Sequence, residues 1–222
     1  MSAVRAAIAL GSNLDDPEAQ VRRGFDEIAA IAQTKLLAYI ALLDKWNRTH
    51  NLTAIRDPEQ MVTHHLLDSL AVLEHLPNAA SLRVLDIGSG GGLPGIPLAI
   101  ARRDWRVVLL DSNHKKAAFL RQAAIELKLA NVEVCAVRVQ DYVADVLFDV
   151  VISRAFSDLA TFAMVGRRLV VRGGRLVAMK GLFPHEELRE LPPDIVVAEV
   201  PAIRVPGLDV QRHLVIMEPH LP

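Results

Sequence analysis

One cysteine, Cys135, stands in 222 residues. An internal disulfide is therefore excluded, and the usage fits a reducing compartment, so a cytoplasmic location is expected. Cys135 lies in the apolar stretch 132–139, which reads as a buried structural thiol. No apolar run approaches the ~18 residues that a membrane span needs, and the N-terminus lacks the basic region, apolar stretch and cleavage site of a secretory signal. Aromatics are few, at 5%, and the net charge is −1. A protein that grips nucleic acid through bulk charge is usually more basic, so any such contact here must be local, or the target must be presented by a larger assembly. The eight histidines show no ligand spacing beyond the neighbours His64 and His65, which with Asp68 form a cluster on a helix face, and no metal is expected. Repeats and low-complexity tracts are missing too.

What is present is an apolar fraction of 51%, enough to bury a full α/β core. Three stretches differ in character. Residues 1–33 read as a strand (4–10), a turn at Gly11-Ser12-Asn13, and a helix with apolar Val21, Phe25, Ile28 and Ile31. Residues 34–79 read as a helical extension: one helix ending near Trp46, and a second opening at Asp57-Pro58-Glu59-Gln60, a cap, a first-turn proline and a capping-box Gln. From 80 to 222 strand and helix alternate. Strands are predicted at 83–87, 106–111, 132–138, 148–153 and 174–180, with helices at 96–102 and 113–129 among them. Two β-rich runs, 195–205 and 212–217, flank the turn Pro206-Gly207-Leu208-Asp209 and predict an antiparallel hairpin at one edge. The fold class is α/β: a Rossmann-like, mostly parallel sheet covered on both faces.

The decisive stretch is Leu85-Asp86-Ile87-Gly88-Ser89-Gly90-Gly91-Gly92-Leu93-Pro94-Gly95. It contains G-x-G-x-x-G at Gly90, Gly92 and Gly95, which by itself is a weak dinucleotide signal. Charge separates the alternatives. A pyrophosphate wants bare N–H groups at a helix N-terminus, and Asp86 beside it would repel it. S-adenosylmethionine carries no phosphate, and both its ammonium and its sulfonium are cationic, so a nearby carboxylate is favourable. Asp111 ends the second strand 23 positions after Gly88, where a carboxylate accepts from ribose hydroxyls. That role serves NAD equally, so Asp111 supports an adenosine without choosing the cofactor. The pattern reads as a class I S-adenosylmethionine-dependent methyltransferase.

Further motifs resemble the RsmG (GidB) family of 16S ribosomal RNA guanine-N7 methyltransferases, from about residue 36 to the end. They are Trp46-Asn47-Arg48-Thr49-His50-Asn51-Leu52-Thr53-Ala54-Ile55, His65-Leu66-Leu67-Asp68-Ser69-Leu70, and the glycine loop through Pro97. Next come Leu110-Asp111-Ser112, Phe119-Leu120-Arg121, Ile152-Ser153-Arg154-Ala155-Phe156, Met179-Lys180-Gly181 and Arg212-His213-Leu214-Val215. The resemblance implies a cofactor pocket of Gly88 and Leu93 at the loop, Asp111 at the ribose, Val139 and Gln140 near adenine, and Arg154 after the fourth strand. Asp86 and Gly90 join that set from the loop itself. Gln140 replaces an acidic residue common in the family. Arg154 and Lys180 are positioning candidates. Asn47, Asn51, Lys180, Arg212 and His213 are candidates for RNA contact, while Trp46 reads better as a core residue between helices.

The implied substrate is one guanine of 16S rRNA (guanine 527 in the usual numbering), and the implied partner is that RNA or the small ribosomal subunit, met by a monomer. Guanine N7 carries a free lone pair, so methyl transfer needs alignment rather than a general base. Alignment contributes roughly 7–11 kcal/mol in favourable model systems. A methyltransferase of the same fold acting on another RNA or a small molecule remains an alternative. Residues 1–33 instead resemble the opening strand and helix of hydroxymethyl-dihydropterin pyrophosphokinase, whose acidic metal-binding segment has no counterpart here. This leaves an inactive pterin- or ATP-binding module as the alternative from another class.

Overall fold

The computed structural model describes residues 30–219. The strand and most of the helix expected in residues 1–33 lie outside them. Five parallel strands run in the order β3 (Val132–Cys135), β2 (Arg106–Leu110), β1 (Arg83–Ile87), β4 (Phe148–Arg154), β5 (Val170–Lys180). The order then ends β5-β7-β6, with β7 (His213–Pro219) antiparallel to both β5 and β6 (Ile195–Glu199). The predicted α/β sheet with an antiparallel edge is present, but its last two strands are not joined by a tight turn. β6 stops at Glu199, and a segment with one isolated bridge, Ala202 to His213, precedes β7.

Strand periodicity explains how the sheet is covered. Val84, Val107, Leu109, Val150, Ile152, Val177, Leu214 and Ile216 fall on one face and share a buried cluster with the helices α1 (Ala30–His50), α3 (Gly95–Ala101) and α4 (His114–Glu126). Leu85, Val108, Leu110, Val151, Leu176 and Val215 fall on the other, against α5 (Leu159–Gly166). Alternate side chains of a strand point to opposite faces, so near-continuous apolar runs serve both. Leu36, Tyr39, Ile40 and Leu43 of α1 belong to the first cluster, so the helical extension shares the core of the sheet.

Several boundaries differ from the sequence reading. α1 continues past Trp46 to His50, and Asn51, with φ 49, ends it in the left-handed region. β3 stops at Cys135, and a 3-10 turn, Val139–Asp141, follows. β5 begins at Val170, running back through Gly173 and Gly174. α5 and the short α6 (His185–Arg189) were not foreseen; α5 is apolar on most sides, so it lacks a polar face to betray its period.

The second helix of the extension is irregular. α2 (Pro58–Met61) is capped by Asp57, whose side chain accepts from the Glu59 N–H at 3.0 Å. The helix then widens into a π-helical stretch, Val62–Leu67, returns to one α turn, Asp68–Leu70, and tightens to 3-10 at Ala71–His75. His65 is buried there, and His65 and Asp68, three positions apart, both face Arg154 at the end of β4. Among the described residues no helix is long and apolar enough to cross a membrane.

Candidate functional site

The order of the sheet reverses between β1 and β4, and crevices at such a switch lie beyond the C-terminal strand ends. There the glycine loop leaves β1. The N–H groups of Gly88 and Ser89 donate to the Leu110 carbonyl at 2.7 and 3.1 Å, which ties the loop to the end of β2. From below, the Tyr39 hydroxyl of α1 donates to the Gly91 carbonyl at 2.5 Å.

Two carboxylates organise the loop, in different ways. Asp86 is completely buried; its Oδ2 accepts from the Gly95 N–H at 2.9 Å, at the start of α3, while its Oδ1 has no partner among the described residues. A Cβ at Gly95 would stand 2.2 Å from Leu109 Cδ2 and 2.7 Å from that Oδ2, so only glycine fits. Burial pushes the Asp86 carboxyl up from 3.8 to about 7, against the opposing pull of the Gly95 N–H, Ser89 and the Arg154 charge. The charge argument from sequence sets Asp86 beside a ligand's ammonium. The structure gives it the helix start instead, with no exposed surface. Asp111 is 7% exposed: Oδ2 accepts from the Gly90 N–H at 2.9 Å and Oδ1 from the Asn113 N–H at 2.8 Å.

A cleft of about 360 Å³ opens here, lined among others by Gly88, Asp111, Val139, Gln140, Ser112 and Phe156. Four of the predicted cofactor residues therefore meet in one place. Asp86, Gly90, Leu93 and Arg154 do not line it; Leu93 is buried in the core at 3% exposure. Ser112, Arg138 and Phe156 line it and were missed, although Ser112 and Phe156 stand inside quoted motifs. A Cβ placed on Gly88, where φ is +71, meets nothing within 4 Å, so this backbone faces open space in which a ligand can lie against it.

Beside the cleft, four motif segments far apart in sequence converge. Arg154, at the end of β4, donates through one nitrogen to the His64 carbonyl at 3.1 Å and approaches His65 Nδ1 at 3.3 Å and Asp68 Oδ2 at 3.4 Å. Arg212 donates from Nε to Asp68 Oδ1 at 2.9 Å, so one carboxylate, 5% exposed, serves two guanidiniums. His65 Nε2 and the Thr53 hydroxyl lie 2.8 Å apart. Burial, then the Arg154 charge, lowers the His65 pKa from 6.5 to about 4, so the ring is neutral near pH 7. Its contacts to Thr53 and Arg154 engage both ring nitrogens. Among the described residues no group of three or more metal-ligating side chains occurs.

The RNA-contact candidates divide. Asn47 is corrected: it is 1% exposed, donates to the Ile55 carbonyl at 3.1 Å and accepts from the Thr53 N–H at 2.9 Å, which fixes the loop after α1. Asn51 is exposed and accepts from Arg56 at 2.8 Å. Lys180 pairs with Glu187 of α6 at 2.7 Å. His213 Nδ1 donates to the Gly181 carbonyl at 2.9 Å. Trp46 packs on Phe119 with ring centroids 5.6 Å apart, as a core residue does. Cys135 is corrected as well: it is half-buried, and burial with the neighbouring Glu133 raises its thiol to about 11, which leaves it unreactive.

The family model of GidB, described as rRNA small subunit methyltransferase G, matches residues 32–215. The chain belongs to the GidB family. Among GidB-family relatives, the ribosomal RNA small subunit methyltransferase G of Nitrosospira multiformis is 54% identical over 193 residues, which cover 84% of this chain and 88% of that protein. The enzyme of the same name from Chromobacterium violaceum is 52% identical, covering 90% and 96%. Among solved structures, cofactor-bound Rv0187 from MTB superposes with a TM-score of 0.64 at 21% identity, covering 95% of this chain and 100% of that one. A SAM-dependent methyltransferase from Aquifex aeolicus gives 0.58 at 18%, covering 73% and 94%. At such identities the likeness is one of fold, and that fold is the class I S-adenosylmethionine-dependent methyltransferase.

Proposed function

We propose that this GidB-family chain transfers a methyl group from S-adenosylmethionine to N7 of a single guanine in 16S rRNA, guanine 527 in the usual numbering. The carrying observation is that a chain of this family brings Gly88, Asp111, Val139 and Gln140 together around one cleft at the sheet's switch point. Methyltransferase activity on small-subunit ribosomal RNA is the function named for its relatives; the base and the atom are the further step, supported by the motifs of the 16S guanine-N7 methyltransferases.

The residues suit the cofactor. The cleft volume of about 360 Å³ lies within the range of small-molecule pockets, roughly 300–1,000 Å³. The Asp111 carboxylate faces it as an acceptor for ribose hydroxyls, the open backbone at Gly88 admits the methionine portion, and Val139 with Gln140 flanks the adenine. When bound, S-adenosylmethionine supplies an electrophilic methyl on a cationic sulfur. The chain's own task is to orient two partners and keep water out. Guanine N7 needs no deprotonation, which agrees with a neutral, hydrogen-bonded His65 and with the salt-bridged Lys180. Arg154 acts as a positioning residue: it joins the end of β4 to the π-helical stretch at the edge of the cleft. Residues 34–79 serve as the helical extension of a methyltransferase domain at 80–222, and the enzyme works as a cytoplasmic monomer on the small ribosomal subunit.

Strand scission tests the assignment. N7-methylguanine has a weak glycosidic bond, so borohydride and aniline cleave RNA beside it. RNA from cells lacking the native enzyme should regain the cut at this guanine when the chain is expressed. A cut at another base, or none despite normal cofactor binding, overturns the substrate.

A further inference from the structure

A second cavity, of about 450 Å³, opens at the opposite end of the sheet, where β1 and β2 begin and where α3 and α4 end. Its wall carries Lys35 of α1, Arg83 at the start of β1, Arg103 and Arg106 on either side of Trp105, and Lys128 after α4. Only two carboxylates, Asp104 and Glu133, share that wall, on a chain whose net charge is −1. None of these seven side chains forms an ion pair with another described residue. Glu133 Oε1 accepts from Cys135 Sγ at 3.6 Å, which directs this carboxylate along β3. The cations crowd one another: burial, Arg103 and Lys128 all lower the Lys35 pKa.

Helix C-termini attract cations, which accounts for Arg103 and Lys128. The end of α4 also holds Lys35, whose Nζ donates to the Lys128 carbonyl at 3.3 Å. Helix ends do not account for Arg83 or Arg106, at the starts of β1 and β2. Nor does the cavity offer a base anything to stack on, since Trp105 on its wall is 1% exposed. Arg83 donates to the Val146 carbonyl at 3.4 Å and lies 5.3 Å over the Phe148 ring, so Arg103, Arg106 and Lys128 carry most of the available charge. Cations with no carboxylate partner among the described residues, and no exposed ring beside them, suit phosphates rather than nucleobases. We propose that this cavity is a second contact for the phosphate backbone of the ribosomal RNA, apart from the cleft where the base reacts. The proposal rests on the RNA reading above. Two contacts separated by the five-residue length of β1, roughly 16 Å of strand, fix an orientation that one cleft leaves free.

The experiment compares the full chain with the double variant Arg103→Glu/Arg106→Glu, titrating 16S RNA that lacks the modification over a range of salt. Removing two phosphate contacts should flatten the slope of log affinity against log salt by roughly 1.4–1.8 and weaken low-salt binding about tenfold or more. Affinity for S-adenosylhomocysteine should stay within twofold. If the charge reversal impairs folding, Arg103→Gln/Arg106→Gln should give the same direction with a smaller loss. Unchanged slope and affinity in a folded variant, with normal RNA binding by the parent, overturn the second contact alone. A parent chain that does not bind the RNA overturns the substrate reading with it. Stabilisation of the parent by pyrophosphate, lost in the variant while the RNA slope stays unchanged, assigns the cavity to a free anion and also overturns the proposal.

Discussion

The cofactor cleft and the junction beside it are built on opposite plans. The cleft is made largely of backbone: strand ends, a glycine loop and one carboxylate that holds N–H groups in place, with its central residues Gly88 and Asp111 in adjacent β-α units. The junction is made of side chains from the loop after α1, the π-helical stretch, the end of β4 and the start of β7. Its bonds span up to 144 positions. A cleft of backbone can be shared by enzymes that differ in nearly every side chain, as likeness at 18–21% identity illustrates. A junction of paired charges depends on particular residues, and it unites the motifs at residues 46–55, 65–70, 152–156 and 212–215.

The largest effect that breaks the comparison should come from Asp68→Ala. It leaves Arg154 and Arg212 without their shared carboxylate in a mostly buried place, at a cost of about 3–5 kcal/mol. Urea unfolding measures it. The folded fraction should still bind S-adenosylhomocysteine, because Asp68 does not line the cleft. A loss under about 1 kcal/mol would show that apolar packing, not the ion triad, holds the extension.

Each region also carries a buried group whose pKa is strongly shifted, His65 in the junction and Asp86 under the glycine loop, and their effects on stability oppose. His65 is lowered from 6.5 to about 4, so its contribution is complete above 6.5 and is lost as pH falls toward 4. Asp86 is raised from 3.8 to about 7, so its contribution is complete below 3.8 and is lost as pH rises through 7. The two windows overlap, and at about 1.4 kcal/mol per pKa unit each is worth roughly 3–5 kcal/mol. From these two groups the parent should therefore show a shallow dependence between pH 4 and 6.5. Asp86→Asn should make stability rise with pH across that interval, and His65→Asn should make it fall. Denaturation midpoints at several pH values check this, and two variants sloping the same way would refute the assignment.

A smaller effect sharpens the cleft side. Asp111→Ala removes a charged acceptor, worth about 1.5–3 kcal/mol, so cofactor affinity should drop about 10- to 100-fold by calorimetric titration. The junction should persist. The smallest change should come from Asn51→Gly at the end of α1. Glycine adopts φ 49 without strain, and the one bond lost, to Arg56, is exposed, so the shift should stay below about 1 kcal/mol in thermal unfolding.

Sequence alone determined the α/β class, the parallel strands from β1 to β4, the glycine loop and the carboxylates before and after it, Asp86 and Asp111. Each is encoded locally, by an apolar run or by residues whose spacing matches one β-α unit. Tertiary structure decided the rest. It turned the Asp86 carboxylate onto α3, because a helix start packed against β1 offers a buried N–H before any ligand arrives. It placed Asn47 inside, because the loop after α1 leaves buried backbone groups that need partners. It ended β6 at Glu199, where pairing with β7 breaks off and only one bridge remains before the final strand. It also set Arg154 and Arg212 on one carboxylate: charges far apart in the chain find each other only after the sheet has brought β4 and β7 to the same edge of the cleft.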